Sequence, residues 1–129
     1  MKDLYQIKLE ATNLLINEKA SKKSNLLTRK EAYKSLKDDF CIWALKKSAN
    51  NKYIKVMEIA RNDKYIYFRH YGGWSEKMSF ENFNFYVNKL QEKNERIYFI
   101  AAISYKSIEG KAEEIAKKNN IDYSPYKIY

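Results

Sequence analysis

The sequence predicts an α+β fold in a single domain: two N-terminal helices packed on a small mixed sheet, a β-hairpin plus a central strand, with two further helices. Three observations point that way. Apolar residues recur at helical spacing through the first third of the chain. Tyr53 to Tyr71 holds two runs of β-favouring residues separated by Arg61-Asn62-Asp63, and Ile97 to Ile103 is a continuous apolar run. The expected division is a helical part over 1–48 and a hairpin and mixed-sheet part with an extended C-terminal tail over 49–129.

From Asp3 to about Glu18, Leu4, Ile7, Ala11, Leu14 and Leu15 keep the three-four spacing of an amphipathic helix, with Asp3 as its cap. Residues 20–25, ASKKSN, lack apolar periodicity and read as a polar loop. Thr28-Arg29-Lys30-Glu31 matches a capping box, in which the Thr28 hydroxyl accepts from the backbone of Glu31 and the Glu31 carboxylate reaches back. Leu27 is placed to staple onto Ala32. The second helix is expected from Arg29 to about Lys47, turning Ala32, Leu36, Phe40, Trp43 and Ala44 to the core, with Ser48 to Asn51 as the connector into the hairpin.

A two-residue turn at Asn62-Asp63 pairs Arg61 with Lys64, Ile59 with Ile66 and Met57 with Phe68, which builds one apolar face. Side chains alternate along a strand, so Tyr65, Tyr67, Arg69 and Tyr71 fall on the other face, with Glu58 diagonal to Arg69. Gly72-Gly73 is expected to break the strand. Ser79 then caps a third helix with Phe80, Phe83, Val87 and Leu90 as its buried stripe and Asn94 as its stop. The run from Ile97 to Ile103 reads as a central strand covered on both faces, lying parallel to a hairpin strand because a helix between strands makes a right-handed crossover. Ser107 is expected to cap a short helix with Ala112, Ile115 and Ala116 inward, ending at Asn119-Asn120. The tail contains Pro125 and reads as an edge strand or an extended arm.

At 129 residues the chain is large enough to bury one core without disulfides or metal. Cys41 is the sole cysteine, which excludes an internal disulfide and every multi-cysteine zinc pattern and leaves a buried structural thiol as its expected role. A reducing cytoplasm fits that usage. The opening MKDLYQIKLEATNLL lacks the apolar core of a signal peptide, and no run approaches the roughly 18 apolar residues of a membrane helix, so no membrane association is expected. Three glycines cannot supply a P-loop or a dinucleotide fingerprint, and His70 as the only imidazole excludes a two-histidine metal site within one subunit. No cofactor is expected. There is no G-x-S-x-G, and no Asp followed by Glu-x-Lys on paired strands, since Glu58-Ile59-Ala60 leads to Arg61.

The formal net charge is +9, which attracts phosphate polymers. Lys, Asn, Ile and Tyr are also the residues of AT-rich codons, so composition alone does not separate binding from a low-GC genome; clustering does. Lys30, Lys34 and Lys37 recur on the helix side away from Leu36, and Lys19 to Lys37 holds seven basic residues against one acid, Glu31. The expected function is a non-catalytic binding module for DNA, RNA or a nucleoprotein complex. Lys22, Lys23, Arg29, Lys30, Lys34 and Lys37 would contact phosphates, and Arg69, Tyr71 and Trp74 would supply further binding surface. One alternative is a small regulator or inhibitor that docks on a protein of a nucleic-acid-processing complex, anchored by Trp74, Tyr123, Tyr126 and Tyr129. A second is a metal-independent ribonuclease of the small toxin type, for which Tyr65, Tyr67, Arg69, His70 and Tyr71 are the right residue types. Alternation sets His70 on the opposite face from Arg69 and Tyr71, which argues against an active site there.

Overall fold

A computed structural model describes residues 3–38, 40–62, 64–69, 73–76 (backbone only), 79–91 and 95–123. In chain order the elements are α1 (Leu4–Ala20), a 3-10 turn (Lys23–Asn25), α2 (Arg29–Lys37), β1 (Ile42–Lys47), β2 (Tyr53–Arg61), β3 (Tyr65–Phe68), β4 (Gly73–Glu76), α3 (Phe80–Leu90), β5 (Tyr98–Ala101) and α4 (Tyr105–Lys118). The α+β class is as expected, with a five-stranded sheet in the order β4-β3-β2-β1-β5.

The second helix stops ten residues short of its expected end. Asp38, a poor helix former that also opposes the helix dipole at a C-terminus, is the C-cap. Beyond it Ile42–Lys47 is a strand. Ile42, Trp43, Ala44 and Leu45 are all buried because both faces of β1 are covered. The 1–48 part is therefore not purely helical. Phe40, assigned to the core as a helical residue, is 60% exposed, and Cys41, expected buried, is exposed as well.

This strand also changes the sheet. β1 pairs antiparallel with both β2 and β5, and the remaining pairs β2–β3 and β3–β4 are antiparallel too. β5 runs in the direction of β2, as a crossover through α3 requires, but β1 lies between them, so the sheet is antiparallel rather than mixed. β5 is accordingly an edge strand, not a central one. It is still covered on both faces, with Phe99 in one cluster and Ile100 in another. Its free edge is shielded: the Leu27 N–H donates to Phe99 O at 2.8 Å and Lys19 Nζ donates to Ala101 O at 3.1 Å.

Helices cover both faces of the sheet. Ala32 and Leu36 of α2 and Phe83, Val87 and Leu90 of α3 share one core with Ile42, Ala44, Met57, Ile59, Ile66 and Phe68. Ile16 and Ala20 of α1 meet Trp43, Leu45 and Ile100 on the opposite face, where Ile7 and Ala11 also join Ala112, Ile115 and Ala116 of α4. The two N-terminal helices thus lie on opposite faces, not together. On α1 the inward residues are Ile7, Ala11, Ile16 and Ala20, while Leu4 and Leu14 are exposed.

The hairpin register differs from expectation by two residues. Ile59 opposes Phe68 and Arg61 opposes Ile66. Asn62 directs the shift, because its Oδ1 accepts from both Lys64 N and Tyr65 N (2.9 and 2.7 Å), and Asn62 N donates to Tyr65 O. A shift of two preserves the alternation, so Met57, Ile59, Ile66 and Phe68 are all buried on the intended face. Gly73, expected to break the strand, is the first residue of a further strand, β4; Gly72 lies outside the described residues. Local signals hold elsewhere. Ser79 caps α3, while α4 is capped by Ser104, three residues before the expected Ser107, whose backbone N–H it receives. α4 ends at Asn119-Asn120 as expected, with Asn120 at a φ of 54. Asn94 and residues 124–129, including Pro125, lie outside the described residues.

Candidate functional site

The capping box of α2 forms as read: Glu31 N donates to the Thr28 hydroxyl at 3.1 Å and Thr28 N to the Glu31 carboxylate at 3.0 Å. Those two hydrogen bonds hold the Glu31 carboxyl below its ordinary pKa, with the backbone N–H of Thr28 the largest cause. The one acid between Lys19 and Lys37 is therefore turned to the helix N-terminus, away from the lysines. Ala32 and Leu36 fix the rotation of the helix against the sheet, and half-buried Tyr33 sits 5.4 Å from Phe80 and 5.7 Å from Phe83. With that face inward, Lys30, Lys34 and Lys37 are exposed together, and Lys37 Nζ lies 5.0 Å above the Tyr33 ring.

Lys22 and Lys23 are exposed too, on the turn that leads into this helix. Lys8, Lys46, Lys55, Lys111 and Lys117 each pair with a carboxylate. Among the described residues, no such partner is found for Lys22, Lys23, Lys30, Lys34 or Lys37.

The structure separates the other candidates from this group. Arg29 is half-buried and its Nη1 donates to Asn84 Oδ1 at 3.3 Å and Asn88 Oδ1 at 2.8 Å, which clamps α2 to α3; burial lowers its pKa. Its position one residue from the cap gave no hint of that, because both asparagines are more than fifty residues away. Arg69 is exposed but pairs with Glu58 at 3.3 Å, the contact expected from the hairpin, now directly across rather than diagonal. Tyr65 and Tyr67 are half-buried, 6.3 Å apart, with the Tyr67 hydroxyl bonded to Asn62. The backbone of Trp74 pairs with Tyr67, while its side chain, His70, Tyr71, Tyr126 and Tyr129 lie outside the described residues. Tyr123 donates its hydroxyl to Glu109 and so has a structural tie.

Three features escaped the sequence. Arg61 donates to the carbonyls of Leu36 (3.0 Å) and Lys37, sealing the C-terminus of α2 from the end of β2. At the end of β1, Lys47 and Arg96 lie over the rings of Tyr53 and Tyr98. Glu109 is buried where α1 meets α4, with Lys8 Nζ at 2.9 Å.

Two open clefts flank α1. One of ≈ 490 Å³ is bordered by Leu9, Leu14 and Ile54, and one of ≈ 320 Å³ by Lys19, Lys22, Ser104 and Ser107. Among the described residues no group of His, Cys, Asp and Glu is arranged to hold a metal ion, and no helix is long and apolar enough to cross a membrane.

The described residues form a small α+β fold with five exposed lysines on α2 and the turn before it. No protein-family model, curated protein or solved structure matches the chain.

Proposed function

We propose that this protein is a non-catalytic nucleic-acid-binding module that seats phosphates on the exposed face of α2 and the turn before it. One observation carries the reading: Lys22, Lys23, Lys30, Lys34 and Lys37 are exposed within one segment without a carboxylate partner among the described residues. Unpaired cations held close together lose little on meeting phosphate and release its condensed counterions, which is the main sequence-independent term in such binding. At 1.5 Å of rise per residue, Lys30 to Lys37 spans about 10 Å of helix, enough to touch successive phosphates.

The test is a mobility-shift titration against DNA and RNA over a range of salt. Five phosphate contacts give a slope of log K against log salt of about −4. The triple variant Lys30→Glu, Lys34→Glu, Lys37→Glu, all at exposed sites, is expected to abolish the complex without unfolding the chain. A complex that survives this variant unchanged, or no complex at low salt, overturns the reading.

A further inference from the structure

We infer that the Lys47–Tyr53–Tyr98–Arg96 cluster receives an unpaired base, which makes single-stranded nucleic acid the ligand class; the inference rests on the nucleic-acid reading above. Register builds the cluster. Lys47, the last residue of β1, pairs with Tyr53, the first of β2, and two residues earlier Leu45 pairs with Tyr98, the first of β5. Alternation turns both tyrosines to the face that Ile16, Leu45 and Ile100 occupy, so their ring bodies rest on apolar side chains. The rings meet edge to face at 5.2 Å and 86°.

Two cations cover this pair. Lys47 Nζ lies 5.2 Å from the Tyr53 centroid and 5.6 Å from that of Tyr98, and the Arg96 guanidinium carbon lies 5.0 Å from the Tyr98 centroid. Both side chains are exposed. The nearby carboxylate of Glu95 is engaged by Lys46 at 2.8 Å, and among the described residues neither Lys47 nor Arg96 has an acid partner.

A ring contact leaves a cation its full charge, so the cluster presents a planar guanidinium on an aromatic floor beside an ammonium group. That combination suits a nucleotide: a base stacks on the outer plane of Arg96 and Lys47 meets the adjoining phosphate. A duplex keeps its bases stacked inside and has no free ring to offer. The cluster lies on the opposite face of the sheet from α2, with the β5 edge between the two. Leu27 bridges to Phe99, which sets Thr28 and the start of α2 beside the beginning of β5.

The test uses the whole chain with oligo(dT), oligo(U) and a duplex of equal length, followed by photo-crosslinking with a 5-iodouracil in the single strands and mass mapping of the adduct. The expected result is tighter binding of single strands, an adduct within residues 95–98, and roughly tenfold weaker single-strand binding in Arg96→Ala with duplex binding unchanged. Arg96→Lys keeps the charge and loses the plane, so it should hold the salt slope but not the affinity. An adduct mapped elsewhere, equal affinity for duplex, or an equal loss for both ligands in Arg96→Ala overturns the single-strand site while leaving phosphate binding by α2 intact. Absence of a complex with any of the three overturns both.

Discussion

At the scale of residues, what the sequence reveals depends on how far a side chain's partner lies along the chain. Asp3, Thr28 and Ser79 are read correctly as caps because each receives an N–H from three residues ahead. Ser107 misleads only because Ser104 bears the same hydroxyl, 2.8 Å away, one turn earlier. Glu109 is invisible: it looks like an ordinary helix acid, yet its partners are Lys8 and Tyr123. Burial raises the pKa of its carboxyl, but hydrogen bonds from Tyr123 and Lys8 outweigh that and leave it below the ordinary value. A depressed carboxyl contributes stability above its unfolded pKa and loses it as pH falls through the folded one. The partner effect on Lys8 has the opposite sign: its pKa is raised, chiefly by the hydrogen bond to Glu109, so its contribution is complete below the ordinary lysine value and fades as pH rises past it. Glu109→Gln should therefore lower stability at pH 7 by about 1–2 kcal/mol and flatten the acid limb below about pH 4. Urea unfolding from pH 2 to 7 measures both; an unchanged acid limb means that Glu109 carries no linked proton.

At the scale of elements, Ile42–Lys47 shows why a short apolar run is ambiguous. Ala32, Leu36, Phe40, Trp43 and Ala44 fit a helical period, while the same residues from Ile42 to Leu45 fit a strand covered on both faces. The decision is made elsewhere, by Arg61 on the α2 carbonyls and by the ladders that β2 and β5 offer on either side. β4 is missed because Gly73–Glu76 is short and mostly polar. The start of β2 shows a helix finishing a strand's hydrogen bonding. Asn17 of α1 accepts from Tyr53 N at 2.7 Å and donates to Tyr53 O at 3.1 Å, so one carboxamide takes the place of a neighbouring strand. Asn17→Ala leaves a half-buried N–H and C=O without that partner, and should destabilise by about 1–3 kcal/mol. Asn17→Asp retains the acceptor but not the donor and should fall between. A lowered denaturation midpoint at constant m-value is the expected signature, and a midpoint equal to wild type would show that water replaces the amide freely.

At the scale of the whole molecule, the order of elements is largely legible but their assignment to faces is not. Nothing in the apolar stripe of α1 states that it lies across the sheet from α2; that follows from the chain passing along the β5 edge from Lys19 to Leu27 before α2 begins. The lysine face, by contrast, is legible because it sits on one helix with one strong local signal, whereas the Tyr53–Tyr98 cluster needs three strands to assemble it. Both surfaces add to a formal charge of +9 that strains the folded state through self-repulsion. Several of the ion pairs are local, Lys55–Glu58, Lys111–Glu114 and Lys117–Glu113, and exposed pairs of this kind contribute about 0–1 kcal/mol each. Repulsion should thus dominate the response to salt, whose screening length falls from about 30 Å at 0.01 M to about 10 Å at 0.1 M. Thermal stability is expected to rise with sodium chloride over that range while nucleic-acid affinity falls, two opposite slopes from one set of lysines. The Lys30→Glu, Lys34→Glu, Lys37→Glu variant, at a formal charge of +3, should show a flatter rise in Tm. A Tm that falls with salt would mean that the ion pairs, Lys8–Glu109 foremost, outweigh the repulsion, and that the lysine face is stabilised by neighbours rather than held ready for phosphate.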